Sequence, residues 1–312
     1  MKFAICFLLY SSMLIAQESK KEIPPTPSFN IRKSTGEIKI DGALDEPAWS
    51  NLPAIPIAYE WQPGDNVPPP VNTNCYITFN DKYLYIGIRA YDPEPQKIRA
   101  HLMDRDSINT FVQDDHVGVM IDAFHDQRRA IQLRMNPLGV QADAIFSDLE
   151  GIEDWSWDLI WDSRGRITAE GYEVEVAIPF NQIRFPRTTD IQTWGIEFFR
   201  SYPRNIRYRM SSHPIDRDKS CTLCQQNSLT GLEGMTPGRN LEFDPTVTAN
   251  HTDDRPNFPD GDLERLDQNV EAGLTARWGI TPNMILNGTL NPDFSQVEAD
   301  VAQLDVNTRF AL

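Results

Sequence analysis

Hydrophobic positions along this chain recur at every second residue far more often than at every third or fourth, in short runs closed by turn residues. Residues 76–79 and 83–91 are aromatic and β-branched runs parted by Asn80-Asp81-Lys82, which reads as a hairpin. Residues 117–124 and 130–135 flank the polar turn His125-Asp126-Gln127-Arg128, and a third hairpin is expected across Asn136-Pro137-Leu138-Gly139. Further strands are predicted over 158–161, 172–178, 194–202 and 207–210. Only residues 46–51, with Pro47 suited to a first turn, and 181–183 read as short helices. Strands at short, regular spacing predict an all-β fold, an antiparallel β-sandwich and not a βαβ arrangement.

Both ends of the chain depart from this pattern. Met1-Lys2 is basic, residues 3–15 are apolar and Ala16 is small, so residues 1–16 read as a signal peptide cut after Ala16, and the protein as exported. The apolar run falls short of the ~20 residues a membrane-spanning helix needs. Residues 17–30, with Pro24, Pro25 and Pro27, suit an exposed linker into a domain over 31–234. After Gly234 the composition shifts: 251–268 is rich in Asp, Asn, Pro and Gly, and beyond it Val270, Ala272, Leu274, Ala276, Trp278 and Ile280 alternate with polar or small residues. Residues 284–290 are the candidate hairpin partner, and two uncovered strands do not make a stable domain.

Charge and cysteine content narrow the function. With 45 acidic residues against 29 lysines and arginines the net charge is -16, a surface that repels phosphates, and no nucleic-acid partner is expected. Cys75, Cys221 and Cys224 would survive cleavage. The spacing of Cys221 and Cys224 is open to a disulfide, half of a metal site or two free thiols, and export favours oxidation. No G-x-S-x-G, HExxH or Walker sequence is present, and acids are too many to single out a carboxylate pair, so no catalytic residue is assigned.

The run Ile40-Asp41-Gly42-Ala43-Leu44-Asp45-Glu46-Pro47-Ala48-Trp49 resembles the opening signature of the family 9 carbohydrate-binding modules. The likeness continues through Tyr83-Leu84-Tyr85-Ile86, the segment from Asp114-Asp115 to Asp122, and Gly171-Tyr172-Glu173-Val174-Glu175-Val176-Ala177-Ile178-Pro179. In the opening motif Asp41 and Gly42 should make a turn, Asp45 or Glu46 should face the first helical amides, and Trp49 should pack into the core. The tail Asn291-Pro292-Asp293-Phe294-Ser295-Gln296-Val297-Glu298-Ala299-Asp300, with Trp194-Gly195-Ile196-Glu197 and Tyr202-Pro203-Arg204, resembles bacterial surface proteins in which such a module precedes an outer-membrane β-barrel domain of unknown function. The resemblance thus implies that residues 235–312 are the truncated first part of a barrel, with the outer membrane as a partner.

The resemblance also implies a sugar site. A pyranose needs an aromatic face and planar polar groups. The family's first stacking wall falls on Phe111, and its Arg-x-Asn pair on Arg134 and Asn136, where the plainer reading is an ion-paired arginine and an asparagine capping the Asn136-Pro137 turn. A glutamate of sugar-binding members falls on Gly118, and the stretch 209–231 that should carry the second wall has no Trp, Tyr or Phe. Trp157 is a further candidate: it shares one face of an extended chain with Trp155, Leu159 and Trp161, a row that is either a ligand platform or the core side of a sheet. Asp154, Asp158 and Asp162 would then lie on the opposite face, solvated or coordinating calcium. The family's structural calcium makes Asp114, Asp115, Asp122 and Asp126 candidate ligands, although no EF-hand spacing is present. The expected function is polysaccharide capture in carbohydrate catabolism at the cell surface, by a module of a kind often attached to glycoside hydrolases. The alternative is a periplasmic plug or gate of a barrel that has lost sugar binding.

Overall fold

Fourteen strands precede residue 235 in the computed structural model, which describes residues 23–34, 36–186, 190–235, 241–254, 262–281 and 284–291. The expected signal peptide over 1–16 lies outside them. In chain order the strands are β1 (Ser28–Asn30), β2 (Ile55–Pro56), β3 (Tyr59–Gln62), β4 (Thr73–Phe79), β5 (Tyr83–Tyr91), β6 (His116–Asp122) and β7 (Arg129–Met135). They continue with β8 (Gln141–Ser147), β9 (Ile152–Asp154), β10 (Asp162–Thr168), β11 (Gly171–Pro179), β12 (Gln192–Pro203), β13 (Arg207–Ser211) and β14 (Asn227–Leu232).

These strands form two sheets. One runs β1-β14-β12-β6-β7-β8-β9, with β13 pairing the later half of β12 and carrying β3; the other runs β10-β11-β5-β4-β2. Neighbours pair antiparallel except β1 with β14. The period-two pattern explains why the sheets face each other. Val117, Val119 and Ile121 of β6, Ile196 and Phe198 of β12, Ile86 and Ile88 of β5 and Val174, Val176 and Ile178 of β11 all enter one core. The predicted antiparallel sandwich is therefore what the chain forms.

The opening motif and the β11 motif are joined by one carboxylate. Glu175, fully buried, accepts from the Asp41 and Gly42 N–H groups through Oε2 at 2.8 Å each, and from Trp49 Nε1 through Oε1 at 2.9 Å. Gly42 takes the left-handed conformation the turn requires, at φ +88°. Trp49 is buried as expected, but with Ile38, Leu44, Tyr85 and Ala177 on the outer side of the five-stranded sheet, apart from the main core. The helix over 46–51 is shorter, α1 (Pro47–Ser50), and no side chain caps it; Glu46 instead accepts the Lys39 N–H.

Three local readings are corrected. Residues 158–161 are not a strand: the Leu159 N–H donates to Asp143 Oδ2 and its carbonyl accepts from Arg105, so side chains satisfy the backbone that a sheet would otherwise pair. Residues 181–183 form a turn and no helix, closed by Gln182 N–H to the Pro179 carbonyl. A second short helix, α2 (Ile108–Phe111), stands where none was expected. Cys221 and Cys224 are joined in a disulfide at half-exposed positions, and Cys75 is a buried free thiol whose pKa burial pushes up.

A third sheet is formed by β15 (Leu241–Asp254), β16 (Glu264–Thr281) and β17 (Met284–Leu290) in antiparallel order. Part of the Asp- and Asn-rich stretch is thus strand, since His251 pairs with Gln268 and Asp253 with Arg265. Backbone pairing overrides the low strand propensity of these residues. The register sets Leu241 opposite Trp278, Trp278 opposite Leu286, and Leu274 opposite Leu290. With Phe243, Val247 and Val270 these side chains share one face, and all of them are exposed. No closed barrel is present among the described residues.

Candidate functional site

The face of the nine-stranded sheet that turns away from the core carries the arrangement best suited to a ligand. On β12 the residues alternating with Phe198 are Glu197, Phe199 and Ser201, and on β6 those alternating with Val119 are His116, Gly118 and Met120. Phe199 stands directly opposite Gly118. A Cβ built on Gly118 would lie 2.1 Å from Phe199 Cζ and 2.5 Å from its Cε2. The far edge of the ring therefore rests over the glycine, so the ring lies across the sheet. The ring is half-exposed and also packs against the cluster of Met120, Ala130 and Leu223.

Two arginine–tryptophan pairs flank that ring. On β7, beyond β6, the Arg134 guanidinium sits 4.8 Å from the Trp155 ring centre and 5.8 Å from that of Phe199. On β13, on the other side of β12, Arg209 lies 5.6 Å from the Trp61 ring of β3. Glu153 fixes the first pair, accepting from Arg134 Nη2 at 2.6 Å and from Gln132 Nε2 at 2.9 Å. Burial pushes the Arg134 pKa down and Glu153 partly restores it. Such a floor of one flat ring between stacked, charge-bearing planes offers apolar and hydrogen-bonding surface together.

Of the residues expected from sequence, only Arg134 belongs to this face. Phe111 is fully buried at the end of α2, its ring 5.3 Å from that of His116, and presents no stacking wall. Asn136 is also fully buried and fully bonded. Its Nδ2 donates to the His101 carbonyl and Asp114 Oδ2, and its Oδ1 accepts from the Leu138 and Val140 N–H groups. It holds the turn and has no group left for a ligand. Trp157 packs against the main core with Leu159 and Trp161 buried beside it, so the row is chiefly a core face and Trp157 is no platform. Asp154, Asp158 and Asp162 alternate outward, as expected. Sequence reasoning missed Phe199 and Trp61; the Phe198-Phe199 step, one residue inward and one outward, was the available signal.

The expected calcium ligands do not form a site. Asp114 and Asp115 precede β6 and Asp122 ends it, roughly 20 Å away at ~3.3 Å per residue. Asp114 is taken up by His101 and Asn136, and Asp115 Oδ2 by Arg99 N and Arg204 Nη1 at 2.9 Å each. Among the described residues Asp106, Asp143 and Asp158 do converge. The positive charge between them is already supplied by Arg105, whose Nε donates to Asp143 Oδ1 at 2.9 Å and lies 3.4 Å from Asp106 and 4.0 Å from Asp158. A calcium ion, which wants six to eight oxygens, would have to displace it.

Burial, reinforced by the Asp143 carboxylate, pushes the Asp106 carboxyl from its usual 3.8 up to about 6. The folded protein therefore keeps this proton where the unfolded chain has lost it. Its contribution to stability is present below about pH 4 and lost as pH rises to about 6. Asp106→Asn is expected to flatten the pH dependence of the urea midpoint across that window. An unchanged slope would contradict the shift.

Residues 40–202, more than half of the chain, match the family described as carbohydrate family 9 binding domain-like, and residues 237–308 match a domain of unknown function, DUF5916. No curated protein matches the sequence. Among solved structures, a candidate carbohydrate-binding protein from Bacteroides uniformis is 12% identical with a TM-score of 0.53, covering 66% of this chain and 99% of its own. A family 9 carbohydrate-binding module from Caldicellulosiruptor kristjanssonii in complex with cellotriose is 16% identical with a TM-score of 0.48, covering 67% and 94%. At these identities the first likeness shows the fold alone, the sandwich already described. The family match covers both motifs that Glu175 ties together and the strands bearing Arg134 and Phe199, and by it the chain belongs to the carbohydrate family 9 binding domain-like family.

Proposed function

We propose that this chain is an exported, non-enzymatic carbohydrate-binding protein that holds a saccharide on the outer face of the nine-stranded sheet and takes part in polysaccharide capture and carbohydrate catabolism at the cell surface. The observation that carries the reading is the Phe199 ring lying over Gly118 between the Arg134–Trp155 and Arg209–Trp61 pairs. A pyranose has an apolar side that stacks on such a ring and equatorial hydroxyls that planar guanidinium donors reach at its rim. Membership in a carbohydrate-binding family supports the same ligand class.

The outer-membrane side of the proposal rests on the third sheet. Its apolar positions from Leu241 to Ala249 span nine residues of β15, a length suited to a tilted strand crossing a bilayer, while the other face carries Asp244, Thr246, Thr248 and Asn250. A second reading, a plug or gate of a barrel without sugar binding, draws on the burial of Phe111 and Asn136, which removes two family contacts.

Calorimetry of the full chain against neutral and acidic oligosaccharides separates the two. Phe199→Ala and Arg134→Ala should each weaken binding by about tenfold, since a stacked ring or a charged hydrogen bond contributes ~1–2 kcal/mol and 1.4 kcal/mol is one decade. Absence of heat with every saccharide would reject sugar binding and leave the plug.

A further inference from the structure

The candidate face is electrostatically unlike the rest of the molecule. Acids outnumber bases by 45 to 29 along the chain, yet three arginines converge on this face. The register places His116 of β6 opposite Ser201 of β12, and Ser201 opposite Arg209 of β13. Arg207, two residues before Arg209, projects from the same side of its strand. Arg134 flanks His116 from β7. Among the described residues neither Arg207 nor Arg209 has a carboxylate partner, and both are exposed. The acid paired on this face, Glu153, is engaged by Arg134 and Gln132. Glu197, further along β12, lies 3.4 Å from His213. Three positive charges thus surround the His116–Ser201 floor against the one negative charge of Glu153.

Two further features belong to the same spot. His116 Nδ1 bonds to the Asp114 carbonyl oxygen at 3.1 Å, so this nitrogen carries the hydrogen. Burial, then Arg134, and to a lesser degree Arg207 and Arg209, hold the imidazole down to about 3, so the ring is neutral and all three arginines are felt at it. Ser201 lies between His116 and Arg209, is 5% exposed, and its Oγ is buried without a hydrogen-bond partner. Arg134 Nε is likewise buried and unbonded. Donors without acceptors and uncompensated positive charge therefore meet at one place on an acidic protein. A neutral sugar would answer the stacking ring and leave this charge unmatched. An anionic substituent would accept from the exposed Arg207 and Arg209 guanidinium groups and relieve the repulsion among the arginines.

Building on the proposed sugar binding, we infer that the saccharide taken by this face is anionic, bearing a uronate carboxylate or a sulfate ester that sits over Ser201 among Arg134, Arg207 and Arg209.

The test is calorimetry on the full chain with matched pairs: oligogalacturonate against its methyl ester, and a sulfated galactan oligosaccharide against its desulfated form. The charged member of at least one pair should bind tenfold or more tightly than its neutral partner, and the pair that shows the preference tells carboxylate from sulfate. Raising the salt from about 25 to 250 mM should shrink that preference, because the arginines are near the surface. In the double variant Arg207→Gln/Arg209→Gln the two members should bind within twofold of each other, whereas Arg207→Lys/Arg209→Lys should keep the preference. Neutral members binding as well as charged ones would overturn the inference and leave sugar binding standing. A glutamine double variant that keeps the full preference would also overturn it. Failure of all four saccharides to bind would overturn both.

Discussion

Replacing Glu175 by alanine is expected to lower the stability of the sandwich by about 3 kcal/mol, from roughly 1–2 kcal/mol for each of two buried donors, the Gly42 N–H and the Trp49 indole, left without this acceptor. The Asp41 and Gly42 N–H groups and the Trp49 indole all end on this one carboxylate. The Asp41 N–H keeps a second acceptor, the Lys39 carbonyl at 3.1 Å, so the loss falls on the Gly42 and Trp49 donors. The Trp49 cluster would also lose the contact that positions it on the five-stranded sheet. For a domain of this size about 3 kcal/mol corresponds to a fall of roughly 9 °C in Tm. Glu175→Gln should cost about half as much: its carbonyl can still serve the two backbone donors, while its NH2 group meets the Trp49 N–H donor to donor. Urea unfolding followed by tryptophan fluorescence measures both variants. Equal losses in the two, or a loss below about 1 kcal/mol in the alanine variant, would show that the motif is held by packing and not by this hydrogen-bonded anchor.

That anchor shows what the sequence could and could not disclose. The strands with strong alternation or dense β-branched content stand where the pattern puts them: 83–91 is β5 without change, and 172–178 and 194–202 are β11 and β12 with a residue or two added at each end. The two family motifs were legible as words, but that Glu175 binds one to the other depends on a contact across 134 residues of chain. The site was harder for the same reason. Arg134 could be placed because an outward position on a strand follows from its neighbours. Phe111 was misplaced because its burial depends on α2, a one-turn helix that Ser107-Ile108-Asn109-Thr110 does not advertise. Asn136 followed the plainer of its two readings, since a side chain beside a Pro-containing turn finds backbone donors two and four residues ahead. Phe199 could not be chosen over Phe198 without knowing which face each sheet buries.

Gly118 is where register sets the Phe199 ring against the sheet, and a methyl group there should be costly. The added Cβ would meet Phe199 Cζ at 2.1 Å and the Leu133 carbonyl oxygen at 2.7 Å; the ring can swing away, but the carbonyl belongs to the adjoining β7 backbone. Overpacking of this kind in a central strand costs about 1–3 kcal/mol. The family-derived expectation of a glutamate at this position is thereby reversed: a larger side chain would displace the ring that forms the floor instead of completing the site. Gly118→Ala is therefore expected to lower stability by about 2 kcal/mol and to weaken saccharide binding by tenfold or more, because the ring must lift off the sheet. The two effects separate in a double-mutant cycle. With Phe199→Ala already in place, the alanine at 118 no longer meets the ring and keeps its contact with the Leu133 carbonyl, so its stability cost should shrink by about 1 kcal/mol, and it should cause no further loss of binding. Full additivity in both stability and affinity would mean that the ring does not rest on Gly118, and the floor of the proposed site would have to be sought elsewhere on this face.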